Sequence, residues 1–188
     1  MKPGPILILP GWQNSGPAHW QSLWQASQGY QRVEQHDWLR PLRGDWIAQL
    51  EDVLLAQDQP VLLVGHSLGC LLAAAWAAHS RHTDRVRAAL LVAPADVECD
   101  ALRPVLSSWS PVPLRELPFK TMLVGSRNDP YCGFERAKAF AHAWGSQFID
   151  CGHRGHINAE SGLGHWPQGH QWLEQLQAGS ARVPVKNQ

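Results

Sequence analysis

Residues able to break an acyl bond together occur here in a telling order: a glycine-flanked serine, an aspartate in a turn, then several Gly-His pairs. The serine is Ser67, in Gly65-His66-Ser67-Leu68-Gly69. The apolar run 61–64 precedes it and the apolar run 70–78 follows it. Strand, sharp turn, helix is the setting of a nucleophile elbow. The serine at its tip is held in a strained conformation. Flanking glycines are needed because side chains there would collide with the neighbouring strand and helix. The helix N-terminus beneath the serine favours negative charge developing beside it.

A serine alone is a weak nucleophile; it needs a base for its proton and an acid to orient the base. In enzymes built on such an elbow the chain order is serine, acid, histidine. Asp129 lies in Gly125-Ser126-Arg127-Asn128-Asp129-Pro130, on a loop leaving the C-terminal end of an apolar strand. Open α/β sheets carry their sites at that edge. Asp96 and Asp150 are alternatives. For the base the chain offers Gly152-His153, Gly155-His156 and Gly164-His165. His153 hugs the end of a strand and His165 opens the last helical region. His156 lies mid-loop with reach towards Ser67; spacing favours it and leaves the other two open.

An oxyanion needs two backbone N–H donors. Leu68, after the nucleophile, supplies one. The loop Gly11-Trp12-Gln13-Asn14 supplies the other, with the Trp12 N–H as the choice. His19 and Trp20, at the far end of that loop, and His66 are candidates for contact with substrate.

Strands alternating with helices would position these groups. Expected strands are Ile6–Leu9, 32–35, 61–64, Val86–Val92, 120–124 and Gln147–Asp150. Expected helices lie near 18–28, 45–57, 67–80, 134–144 and 167–176. Buried strands alternating with helices argue for a parallel sheet covered on both faces. The stretch 94–118, with prolines at 104, 111, 113 and 118, is irregular and has room for a short helix. No repeat, linker or low-complexity segment appears. A single domain over 1–179 and a frayed tail from Ser180 are expected.

The 188 residues suit one domain with a sizeable core. Sixteen basic and sixteen acidic residues cancel, leaving no electrostatic footprint for nucleic acid or an anionic membrane. No apolar run approaches a membrane span. The apolar stretch 5–9 is too short for a signal-peptide core and reads as the first strand. Cys70, Cys99, Cys132 and Cys151 are widely spread, as expected of reduced thiols in a cytoplasmic protein. Ten tryptophans read chiefly as bulky packing, with Trp12 and Trp20 placed to line a pocket.

The segments 11–20, Asp45-Trp46, 64–70, 126–131 and Gly155-His156-Ile157-Asn158 resemble small serine hydrolases related to retinoblastoma-binding protein 9 and the bacterial YdeN-type proteins. The likeness runs from the first strand to Trp166-Pro167. It implies a three-layer α/β-hydrolase fold with about six mostly parallel strands in the order 2-1-3-4-5-6 and no large lid domain. It also implies the triad Ser67, Asp129 and His156, the base being matched through Gly-His-Ile-Asn. One departure is Pro10, where many α/β-hydrolases carry a histidine before the oxyanion glycine.

The expected activity is hydrolysis of small carboxylic esters through an acyl-enzyme, in a shallow, open site, with no cofactor and no metal. An amide or thioester substrate fits the same chemistry. A rival reading is a protein-interaction module of the retinoblastoma-binding type. The L-x-C-x-E peptide of that mode is absent; around Cys70 the run is Leu68-Gly69-Cys70-Leu71-Leu72. A second rival is a zinc site from Cys151, His153, His156, His165 and His170, whose spacing fits no common structural pattern.

Overall fold

Continuous runs of Val, Leu and Ala form strands buried on both faces, which requires helices on either side. The computed structural model describes residues 4–179. Along the chain come β1 (Ile6–Leu9), α1 (Trp20–Gln28), β2 (Gln31–Arg32), α2 (Arg43–Leu55), β3 (Val61–His66), α3 (Leu68–His79) and β4 (Val86–Val92). Then follow β5 (Lys120–Gly125), α4 (Phe134–Ala143), β6 (Gln147–Asp150) and α5 (Pro167–Gly179). The six strands lie in the order β2-β1-β3-β4-β5-β6, as the resemblance implied. Every pairing is parallel.

The two-residue period of a strand sorts the core into two layers. Leu7, Leu9, Leu63, Ala89, Leu91 and Leu123 pack with α2, α3 and α4. Leu62, Val64, Ala88, Leu90, Val92 and Val124 pack with α1 and α5 on the other face. The connection after β1 leaves over one face towards β2, and α2 returns over the other to β3. The crevice between the C-terminal ends of β1 and β3 is therefore the topological switch point, where such sheets bind their ligands.

Several expected boundaries move. The second strand is Gln31–Arg32 rather than 32–35. The Val33 N–H still bonds the Ile8 carbonyl, at 3.0 Å, but the chain then turns away. α1 starts at Trp20 because His19 Nδ1 accepts from the Gln21 N–H and caps it. α2 spans Arg43–Leu55 rather than 45–57. β3 runs on to His66, and α3 begins at Leu68 with Ser67 as its cap. The stretch 94–118 holds one 3-10 turn, Ser107–Trp109, and no α-helix. Leu102, Leu106, Trp109, Val112 and Leu117 bury it against the core, and the Trp109 indole donates to the Pro41 carbonyl. Trp20, Trp24, Trp46, Trp76, Trp109 and Trp144 are fully buried, so packing accounts for most of the tryptophans. No helix among the described residues is long and apolar enough to cross a membrane. The tail expected to fray from Ser180 lies outside the described residues.

Candidate active site

Ser67 sits at the switch point with φ 55° and ψ −118°, a conformation L-residues rarely adopt. Close packing enforces it. A Cβ at Gly69 would stand 2.1 Å from the Leu9 carbonyl oxygen. One at Gly11 would stand 2.8 Å from Ser67 Cβ. The Ser67 N–H bonds the Val92 carbonyl, at 3.0 Å, which ties the elbow to β4.

Asp129 and His156 reach Ser67 from the loops after β5 and β6. The Ser126 hydroxyl donates to Asn128 Oδ1 and accepts the Arg154 N–H, while Asn128 Oδ1 also accepts the Gly155 N–H. One loop thereby clamps the other. The Asp129 side chain is nearly fully buried, and its Oδ1 accepts the Tyr131 N–H at 2.9 Å. Both of its oxygens lie 2.9 Å from His156 Nδ1. An ionised carboxylate can only accept, so His156 carries its proton on Nδ1. The lone pair on Nε2 then faces the Ser67 hydroxyl, 2.9 Å away. The arrangement can draw a proton from Ser67.

Leu68 opens α3, so its N–H has no acceptor within the helix. In the loop after β1 the Gln13 N–H bonds Trp38 and the Asn14 N–H bonds Gly11. Among the described residues no such loop bond engages the Trp12 N–H. Leu68 and Trp12 line the same cavity, of about 380 Å³, with Ser67 and His156. The segment leaving β4 adds an apolar wall of Ala95, Leu102 and Leu106. The loop after β6 adds Asn158 and Glu160, and among the described residues no Lys or Arg side chain lines the space.

The candidates for substrate contact divide. His19 and His66 line the cavity, but Trp20 does not. Trp20 is buried, and its indole donates to the Ile157 carbonyl beneath the site, at 2.8 Å. His66 Nε2 is likewise taken up by the His156 carbonyl, at 2.9 Å. Burial, then Arg32 and His156, push the His19 imidazole down to about 3.

The alternative acids and bases are elsewhere engaged. Asp96 pairs with Arg136, and Asp150 with Arg127, which holds the Asp150 carboxyl below its ordinary range. His153 and His165 are exposed. His170 lies between Tyr30 and Glu174. Among the described residues no three His, Cys, Asp or Glu side chains gather as metal ligands. Burial pushes the Cys70 and Cys132 thiols well up, so neither is poised as a thiolate.

Sequence reasoning missed Tyr131, whose ring packs on His156 with centroids 4.7 Å apart, and the Ser126–Asn128 clamp. Their place beside Asp129 was the available signal. Leu102 and Leu106 carried none, because 94–118 has no periodicity.

A model of the family described as serine hydrolase matches residues 6–175. The chain is similar to a YdeN-like hydrolase from Pectobacterium atrosepticum, at 31% identity over 94% of this chain and 91% of that one, with TM-score 0.83. It is also similar to the ydeN gene product of B. subtilis, at 18% identity over 93% and 99%, with TM-score 0.71. Likeness to the esterase RhEst1 from Rhodococcus sp., at 14% identity over 96% and 91% with TM-score 0.62, reflects the fold alone. No curated protein matches the chain.

Proposed function

Because the chain belongs to the serine hydrolase family, we propose that it hydrolyses small, uncharged carboxylic esters through an acyl-enzyme formed on Ser67. The observation that carries this reading is the unbroken chain of contacts from the buried Asp129 carboxylate through His156 to the Ser67 hydroxyl, each 2.9 Å, at the floor of a cavity.

Ser67 Oγ attacks the ester carbonyl carbon while its proton passes to His156 Nε2. Asp129 keeps the imidazole in the Nδ1–H tautomer and stabilises the imidazolium. The displaced carbonyl electrons settle on oxygen, facing the Leu68 and Trp12 N–H groups; one such donor is worth about 10²–10³ in kcat. The intermediate collapses, the carbonyl–alkoxy bond breaks, and His156 returns the proton to the leaving alcohol. Water repeats the sequence on the acyl-Ser67 ester and frees the acid. The wall of Ala95, Leu102 and Leu106 suits an apolar acyl group, and the described residues that line the space include no Lys or Arg to pair with a free carboxylate on the substrate.

Rapid mixing with p-nitrophenyl butyrate tests this. The expected result is a burst of p-nitrophenol stoichiometric with protein, absent in Ser67→Ala. Absence of burst and turnover with ester, amide and thioester substrates alike would contradict it. The interaction reading gains nothing, because the Leu68-Gly69-Cys70 run is buried inside the fold.

A further inference from the structure

The chain makes an unfavourable turn immediately after the proposed base. Ile157 has φ 48°, a left-handed conformation unfavourable for a β-branched residue. Ile157 is fully buried. Two ring N–H groups from different elements converge on this turn. His66, the last residue of β3, donates Nε2–H to the His156 carbonyl, at 2.9 Å. Trp20, the first residue of α1, donates Nε1–H to the next carbonyl, that of Ile157, at 2.8 Å. A carbonyl only accepts, so the first contact fixes the His66 tautomer. The rings also follow one another away from the base in tilted and edge-on contacts. His66 lies 4.9 Å from His156, His19 lies 4.7 Å from His66, and Trp20 lies 5.2 Å from His19. Burial, then His19 and His156, hold the His66 imidazole well below its ordinary range, which keeps it a neutral donor. The mechanism above uses neither His66 nor Trp20.

We propose that His66 and Trp20 are positioning residues that hold the His156–Ile157 backbone in place, His66 setting the register between nucleophile and base because it adjoins Ser67 through one peptide bond. The proposal rests on the reading of His156 as the base. A misplacement of about 1 Å at such a pair costs about 10² in rate.

The test compares His66→Leu, which removes the donor, with His66→Gln, whose amide N–H reaches about as far as Nε2. Trp20→Phe keeps an aromatic ring and removes its N–H. Four quantities are read: kcat and KM on p-nitrophenyl butyrate, melting temperature, and the downfield proton resonance of His156 Nδ1–H. Expected for His66→Leu is a fall in kcat of about 10² with KM within about twofold, and loss of the downfield resonance. His66→Gln should recover about tenfold of that loss, and Trp20→Phe should lower kcat while the protein stays folded. His66→Leu with unchanged kcat and resonance would overturn the proposal. So would His66→Gln no better than His66→Leu when both melt like the wild type. A wild type that fails to turn over but loses the resonance in His66→Leu would contradict the hydrolase reading and support the positioning role.

Discussion

Gly69 and Leu9 touch backbone to backbone beneath Ser67. A Cβ on the former would stand 2.1 Å from the carbonyl oxygen of the latter. The same oxygen accepts a hydrogen bond from the Gln21 side chain, at 3.2 Å, so it has little freedom to retreat. Gly69→Ala is therefore expected to destabilise the fold by about 1–3 kcal/mol and to tilt the elbow. Gly44, in the first turn of α2, has open space where a Cβ would stand. Gly44→Ala should raise stability by about 0.4–1 kcal/mol. Urea denaturation of the two variants checks both signs.

Asp129→Asn keeps the shape of the acid and removes its charge. The amide can donate to Nδ1, which favours the tautomer with the proton on Nε2 and leaves Ser67 without a base. A fall in kcat of about 10⁴ is expected, with KM little changed. Steady-state ester hydrolysis measures it; a variant within tenfold of wild type would take the orienting role away from Asp129.

Leu106 belongs to the apolar wall and is almost fully buried. Leu106→Ala should enlarge the space beside Ser67 and shift preference towards longer acyl chains, by about tenfold in the octanoate-to-butyrate ratio of kcat/KM. The fold should lose about 2–5 kcal/mol at the same time. p-Nitrophenyl esters of increasing chain length give the profile, and an unchanged profile would place the acyl group elsewhere.

The resemblance named the sheet order and the sequence itself the elbow, since both live in contiguous runs: the bounds of β4 and β6 are those expected. The second strand is Gln31–Arg32 and not 32–35, because Val33 turns into the core and the chain leaves the sheet there. What lay out of reach was direction. Trp12 lies in the loop after β1 and Trp20 opens the helix that ends it, yet one lines the cavity and the other turns beneath it to hold Ile157. That choice depends on where residue 157 passes, far along the chain. The apolar wall was illegible for a related reason: 94–118 is ordered by contacts with distant elements, such as Trp109 with Pro41, and not by a repeat of its own.

His19 and His66 should make the protein acid-sensitive. In the folded state His19 takes up a proton only near about 3, against an ordinary value of 6.5, and His66 is held well below 6.5 too. In the unfolded chain both bind protons near the ordinary value. The unfolded state therefore carries more protons below pH 6.5, and stability rises with pH across that window. The contribution is complete above pH 6.5 and is lost progressively as the pH falls towards about 3. His19→Asn retains a helix-capping side chain and does not titrate. Its melting temperature should fall less steeply below pH 6.5 than that of the wild type, by calorimetry at a series of pH values.

Labelling with a fluorophosphonate probe tests the central claim, that Ser67 is a nucleophile activated by His156. The wild type should be labelled at Ser67. Labelling should vanish in Ser67→Ala and His156→Ala and persist in His153→Ala, whose histidine is exposed. A well-folded wild type that takes no label, or label that persists in His156→Ala and vanishes in His153→Ala, would contradict the assignment.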